Sequence, residues 1–182
     1  PLLGLPLRHT VRDAVARAVR RAVASGALPA PDDAAVLDAL VAGIEVENSR
    51  HVLVEGNVAR NNTGGILVFI TPGLPIKSSY DAIVRRNFIT NNNTPNFAIP
   101  GSLVAGIPSG TGILVMSGDK VVIEDNIITG NNTGGIIVTS GDFVTEVASD
   151  KDSDPHSDEV MIRNNVMFDN GNDPDGEMKR LM

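Results

Sequence analysis

The stretch Gly112-Ile-Leu-Val115, with Val121-Val-Ile-Glu-Asp-Asn126 after it, occurs four times in related forms. A repeat of roughly 20 residues or slightly more, built from short alternating strands, is typical of a solenoid whose turns stack on one another. The repeats therefore predict a coil of stacked turns, or rungs, from residue 43 onward. The other copies are Gly43-Ile-Glu-Val46 with Val52-Leu-Val-Glu-Gly-Asn57, Gly65-Ile-Leu-Val68 with Ala82-Ile-Val-Arg-Arg-Asn87, and Gly135-Ile-Ile-Val138 with Val160-Met-Ile-Arg-Asn-Asn165.

Alternation within each repeat predicts which side chains face the interior. Because successive side chains of a strand point to opposite faces, equivalent apolar residues of successive rungs should form internal columns. The prediction is an all-β solenoid, a parallel β-helix of about four rungs with three strands in each. The columns are Ile44, Ile66, Ile113 and Ile136; Val46, Val68, Val115 and Val138; Val54, Val84, Ile123 and Ile162; and Ala59, Ile89, Ile128 and Met167.

One asparagine recurs at the same phase of every repeat, between the second and third strands. Asparagine tolerates left-handed backbone at a sharp bend, and identical amides stacked about 4.8 Å apart can hydrogen-bond along the column. The pattern predicts an internal asparagine ladder of Asn57, Asn87, Asn126 and Asn165. The runs Asn61–Gly65 and Asn131–Gly135 instead predict turns in which glycine supplies a positive φ.

Residues 7–42 follow a helical period rather than a strand period. Thr10-Val-Arg-Asp13 matches a helix-capping signature, and apolar residues on one helical face follow it up to Gly26. Because the end of a β-helix exposes unpaired strand groups and an apolar core, this segment is expected to form an α-helical cap on the first rung. The predicted division is therefore a cap over residues 1–42 and a β-helix over residues 43–182.

Composition narrows the classes of partner. The 182 residues contain no cysteine and no tryptophan, so the core must be aliphatic and held by stacking rather than by disulfides. No apolar run approaches the ~20 residues that span a bilayer, which predicts no membrane span. Residues 142–182 hold 11 acidic and 4 basic side chains, and this acidic excess disfavours nucleic acid as a partner.

The repeated Gly-Ile-x-Val phrases and the stretch Asn62-Thr-Gly-Gly-Ile-Leu-Val-Phe-Ile-Thr71 resemble bacterial right-handed parallel β-helix repeat proteins of the pectate lyase-like superfamily. The resemblance covers residues 43–176 and implies a right-handed coil, a polysaccharide partner and an extracytoplasmic location, periplasmic or secreted. That superfamily includes polysaccharide lyases, glycoside hydrolases, uronate epimerases and members without known chemistry. Residues 1–42 do not resemble its rungs, which favours a truncated or engineered portion of a larger protein.

Function in a solenoid usually lies on loops inserted between rungs, and three such insertions are present, at residues 71–81, 94–111 and 140–158. The third loop is the most acidic of them. It is a candidate calcium site, because Asp150, Asp152, Asp154 and Asp158 place carboxylates at alternate positions that suit a hard cation. A solvated acidic loop is the alternative, since Pro155 stands where a calcium loop has glycine and no glutamate closes the loop.

The tripeptide Asp154-Pro155-His156 resembles part of the Asp-Pro-His-acid motif of alginate-type C5 epimerases. That chemistry needs a base and an acid on opposite faces of a uronate ring, and a cation or arginine to neutralise its carboxylate. The resemblance implies catalytic roles for Asp154 and His156, although Ser157 stands where the motif has its acidic residue.

Two functions remain open on the sequence alone. The favoured one is a non-catalytic structural, carbohydrate-binding or surface-binding β-helix module, and the alternative is a polyuronate lyase or C5 epimerase. Enzymes of that class present Arg, Lys, Asp and Tyr from adjacent rungs on one strand face, whereas the sequence indicates only the cluster in the third loop. The tail after residue 171 contains no obvious closing element, so either the fold continues or the last rung forms a homo-oligomer with another copy.

Overall fold

A computed structural model describes residues 41–142, 144–176 and 178–181. The predicted helical cap lies outside the described residues as far as residue 40. The described helices are short: the 3-10 helix Leu103–Gly106, α1 at Thr145–Ser149 and α2 at Met178–Leu181. The strands are β1 Ala42–Glu47, β2 Arg50–Glu55, β3 Val58–Arg60, β4 Gly64–Phe69, β5 Ser79–Arg85, β6 Phe88–Thr90, β7 Thr111–Met116, β8 Gly118–Asp119, β9 Val122–Glu124, β10 Ile127–Thr129, β11 Gly134–Thr139, β12 Met161–Arg163 and β13 Val166–Phe168.

Each repeat contributes one strand to each of three parallel sheets. The first sheet has the order β1-β4-β7-β11, the second β2-β5-β9-β12 and the third β3-β6-β10-β13. The short strand β8 also pairs with β5, beside β9 in the second sheet. This arrangement confirms the predicted parallel β-helix of four rungs with three main strands each.

The four predicted columns are confirmed by the strand register. Ile44 pairs with Ile66, Ile66 with Ile113 and Ile113 with Ile136, and the other columns align in the same way. Side chains of the middle rungs, such as Ile66, Ile113 and Ile123, are fully buried in one aliphatic core. The fourth rung is less covered, because Ile136 is only partly buried and Ile162 and Met167 are about half exposed.

The predicted asparagine ladder is also confirmed. Each side-chain Nδ2 donates to the Oδ1 of the asparagine one rung on, over 3.1 Å from Asn57, 3.0 Å from Asn87 and 2.9 Å from Asn126. A second ladder is also present, and two of its members, Asn62 and Asn131, lie in the runs that the sequence indicated only as turns. It consists of Asn62, Asn92, Asn131 and Asn170, with the same contacts at 2.9, 3.0 and 3.0 Å.

Two expectations about the bends are wrong in detail. At the corner between the second and third strands of each rung, the residue with left-handed backbone is the one before the asparagine of the first ladder. These residues are Gly56, Arg86, Asp125 and Asn164. Gly65 has no positive φ and lies within β4. A Cβ there would stand 2.4 Å from the carbonyl oxygen of Gly112, so this glycine is required by the close approach of the next rung.

The second and third loops pack against the outer face of the first sheet. Leu67 and Phe69 of β4 and Leu114 and Met116 of β7 point away from the interior, yet they are buried in a second apolar cluster. Ile107 from the second loop and Val144 from the third complete that cluster. These insertions therefore have a structural role, because they remove an otherwise exposed apolar sheet face from water.

Candidate functional site

A group of polar side chains lies where the strands of the second sheet begin. Arg50, Tyr80 and Asp119 occupy equivalent positions on three successive rungs. The next residue of each rung has left-handed backbone, with φ of 57° at His51, 58° at Asp81, 50° at Lys120 and 54° at Glu159. Non-glycine residues adopt this conformation infrequently, so its recurrence on four rungs marks a shared local structure.

His51 and Asp81 form a pair across the first two rungs. The imidazole Nδ1 of His51 donates to the carboxylate of Asp81 over 2.7 Å. This contact fixes the tautomer and the orientation of the ring, because an ionised carboxylate only accepts hydrogen bonds. The Nε2 atom of His51 is then the ring nitrogen that remains for a ligand.

Tyr80 joins the second rung to the third. The Nζ of Lys120 donates to the Tyr80 hydroxyl over 2.9 Å and lies 5.1 Å from the centre of its ring. This hydrogen bond, together with the charges of Glu159 and Asp81, raises the pKa of Lys120 above its ordinary value. The ring of His51 meets Tyr80 edge-on, with a centroid separation of 6.2 Å.

An open cleft of about 280 Å³ lies against this group, lined by Arg50, His51, Ser78 and Tyr80. The Arg50 Nε donates to the Ser78 hydroxyl over 3.0 Å, and that contact holds the guanidinium at the rim. We call this cleft, with Asp81 and Lys120 beside it, the second-sheet cleft. It brings together two permanent cations, an oriented imidazole and a phenol, which are groups that bind carboxylates and hydroxyls.

The expectation that charged groups cluster only in the third loop is therefore wrong. Adjacent rungs of the second sheet present Arg, Tyr, Asp and Lys at its starting edge. A signal was present in the sequence, because residues 51, 81, 120 and 159 each lie six positions before a ladder asparagine. Their chemical types differ, so the column did not stand out as the asparagines did.

A second charged column, at the far end of the same strands, is internally paired. Glu55, Arg85, Glu124 and Arg163 alternate in sign along consecutive rungs. Arg85 Nε lies 3.1 Å from Glu55, and Arg163 Nη2 lies 2.7 Å from Glu124. The hydrogen bond from Arg85 lowers the pKa of Glu55. Such an alternating ladder stabilises the stack of rungs and leaves little charge for a ligand.

In the third loop, Asp150 serves as an anchor to the first loop. Its carboxylate accepts a hydrogen bond from Lys77 Nζ over 2.8 Å, and from the Ser153 hydroxyl over 3.1 Å. The Lys77 contact is the main reason that the pKa of Asp150 falls to about 2. A cation at Asp150 would have to compete with this lysine.

Asp154 and His156 lie together, as their spacing requires, at 3.0 Å between Oδ1 and Nδ1. The Nε2 of the same ring lies 3.5 Å from Asp142. The hydrogen bond with Asp154, and the charge of Asp142, raise the pKa of His156. An imidazole between two carboxylates is a weak candidate for a base that must act on a substrate, because both nitrogens are engaged.

The four predicted calcium ligands separate into different contacts. Asp150 pairs with Lys77 and Asp154 with His156, the Asp152 amide donates to Asp150, and the Asp158 amide donates to Asp119. Across the described ranges, no three His, Asp or Glu side chains are grouped in a way that could hold a metal ion. Calcium binding by this loop stays a prediction, and it would require the loop to rearrange.

Comparison with known proteins gives one match. The family described as "Right handed beta helix region" matches residues 41–151, a span that holds the first three rungs and the first strand of the fourth. Neither a curated protein nor a solved structure matches the chain. None of the helices in the described part of the chain is long and apolar enough to cross a membrane.

Proposed function

Because the chain belongs to the right-handed β-helix family, we propose that it is a binding module for acidic carbohydrate and that its site is the second-sheet cleft. The observation that supports this function is that Arg50, His51 and Tyr80 of two successive rungs line one open cleft, with Lys120 of the third rung hydrogen-bonded to Tyr80 beside it. Arg50 offers a planar guanidinium that matches the geometry of a uronate carboxylate. Ser78 and Asp81 add partners for sugar hydroxyls.

Recognition at this cleft relies on charge and hydrogen bonds rather than on stacking of sugar rings. Lys120 lies over the ring of Tyr80 and the ring of His51 is perpendicular to it, so these two contacts already take up part of the ring surface. Arg50 also differs from the arginines of the Glu55–Arg163 column, because it contacts a neutral hydroxyl rather than a carboxylate. A ligand carboxylate can therefore pair with Arg50 without first displacing an acidic side chain.

Binding of an oligouronate tests this proposal. Calorimetric titration should show an affinity for oligogalacturonate that falls with salt, and no affinity for a neutral oligoglucan of the same length. Arg50→Ala should weaken binding by about tenfold or more, since hydrogen bonds to charged groups contribute roughly 1.5–3 kcal/mol each. Lys179→Ala is the matched control, because it removes the same charge from an exposed residue outside the cleft. Equal losses in the two variants, or equal binding of the neutral sugar, would reject the site.

A polyuronate lyase or C5 epimerase is the second candidate function, and the His51–Asp81 pair favours it. An imidazole oriented by a carboxylate can take the C5 proton of a uronate whose carboxylate is neutralised by Arg50. In a lyase, the electron pair then forms the C4=C5 double bond as the C4–O bond breaks and the leaving oxygen takes a proton. In an epimerase, a proton returns to C5 from the opposite face.

Product analysis decides between binding alone and chemistry. Incubation with polyuronate in deuterated water should reveal a lyase by unsaturated ends, and an epimerase by inversion with deuterium at C5. If the second-sheet cleft is catalytic, His51→Ala should lower the rate by about 10²-fold or more, the usual contribution of a positioned base. His156→Ala should leave the rate unchanged. The reverse pattern would place the chemistry in the third loop. If polyuronate yields no product, binding alone is the function of the cleft.

A further inference from the structure

A row of large apolar side chains is exposed along the outer face of the third sheet. Val58, Phe88, Ile127 and Val166 occupy equivalent positions on the four rungs. Their exposed fractions are 64%, 41%, 45% and 56%, so the row forms a continuous apolar stripe at the surface. Contiguous exposed apolar surface of this kind marks an interaction site more often than isolated exposed residues do.

Two further rows of side chains border this stripe. At the corner between the second and third sheets, the residues before the ladder asparagines include Arg86 on the second rung and Asp125 on the third, and both are exposed. On the other side, the last residues of the strands include the exposed Arg60 on the first rung and the exposed Phe168 on the fourth. In each row, the two residues would change places if the order of the rungs were reversed, because the second rung exchanges with the third and the first with the fourth.

We propose that this face binds the same face of a second copy of the chain, through a two-fold axis that runs parallel to the strands between β6 and β10. Such an axis reverses the order of the rungs, so the first faces the fourth and the second faces the third. Val58 then meets Val166 of the other copy, and Phe88 meets Ile127. The apolar stripe is complementary to itself in this arrangement.

The bordering rows agree with the same axis. Reversal of the rungs brings Arg86 of each copy to Asp125 of the other, which forms two ion pairs at the rim. It also brings Arg60 to Phe168, a pairing of a guanidinium with an aromatic ring. A two-fold axis along the coil would keep each rung opposite the same rung and would separate Arg86 from Asp125. The axis parallel to the strands, which reverses the order of the rungs, is therefore the one that makes both charge and apolar surface complementary.

The face is small, which determines how tight the dimer is. The face consists of four strands of three residues each, which is fewer residues than the ~20–30 that each partner contributes to a standard interface. A reversible dimer that dissociates on dilution is expected. Arg86 also lies 2.8 Å from Glu55 of its own chain, so part of its charge is already compensated.

Sedimentation equilibrium over a range of protein concentrations tests the proposal by charge reversal. The protein should dimerise, and Arg86→Asp or Asp125→Arg alone should weaken the dimer by about tenfold or more, since each change turns two attractions into repulsions. The double variant R86D/D125R should restore association. Leu53→Asp, on the exposed face of the second sheet, is the control and should leave association unchanged. Thermal melts of the variants establish that each is folded.

Several outcomes would overturn the dimer. A chain that stays monomeric up to its solubility limit does not use this face. Failure of the double variant to recover association would reject the two-fold axis parallel to the strands. Association that survives Phe88→Glu would place the contact elsewhere, such as at the half-exposed side chains of the fourth rung.

Discussion

Replacement of Gly65 by alanine is expected to cause a large loss of stability for the addition of a single methyl group to the coil. The new Cβ would lie 2.4 Å from the carbonyl oxygen of Gly112 and 2.6 Å from Cγ2 of Ile89. Overpacking of a core usually costs roughly 1–3 kcal/mol, occasionally more. Here the nearest atom belongs to the backbone of the next rung, so no change of rotamer relieves the contact. We expect a loss of about 3 kcal/mol or more in the free energy of unfolding, measured by denaturant melts.

Gly106→Ala is the matched control for this substitution. Gly106 lies in the 3-10 helix, has no positive φ, and has no atom within 4 Å of the position of a Cβ. Alanine there should leave stability unchanged or raise it slightly, because it restricts the unfolded chain. A small effect at Gly65, comparable to that at Gly106, would show that adjacent rungs are farther apart than the structure has them.

The glycine that opens each repeat illustrates what sequence reasoning could and could not recover. Its recurrence before an alternating apolar run correctly located the first strand of each rung. The expectation that this glycine supplies a positive φ was wrong, because a turn and a close approach of two backbones both require glycine and cannot be distinguished by its presence in a sequence. Only the distances between rungs, such as 2.3 Å from a Cβ on Gly112 to the oxygen of Gly135, distinguish the two.

The columns were predictable because an apolar residue or an asparagine recurs at the same phase of every repeat, whereas the second-sheet cleft has no such recurring class of residue. His51, Asp81, Lys120 and Glu159 share a backbone conformation but not one side-chain chemistry, and insertions make the spacing between them uneven. Contacts such as Lys77 with Asp150 join two different loops, and no repeat pattern encodes which loop tips meet. Periodicity thus predicted the interior of the coil, whereas contacts at its surface join side chains that no repeat relates.

Asn126→Leu is expected to have the second large effect, because Asn126 is fully buried and takes part in hydrogen bonds on both sides. Its Nδ2 donates to the carbonyl of Val84 and to Asn165, and its Oδ1 accepts from the backbone and side-chain nitrogens of Asn87. Leucine has a similar volume but leaves these partners without their bonds. A loss of about 2–4 kcal/mol follows, since each buried group left unsatisfied costs roughly 1–3 kcal/mol. Denaturant melts would measure it.

Asn57→Leu separates the ladder from the general cost of placing leucine at a corner. Asn57 is only half-buried, and its side chain donates to Asn87 and to the carbonyl of Glu55. After this substitution Asn87 Oδ1 still accepts from the backbone amide of residue 57, so a loss of about 1 kcal/mol or less is expected. If the two variants lost equal stability, the amides would act as separate turn residues. A larger loss at Asn126 follows from its full burial and from its hydrogen bonds to the rungs on both sides, because the half-buried Asn57 bonds along the ladder to Asn87 alone.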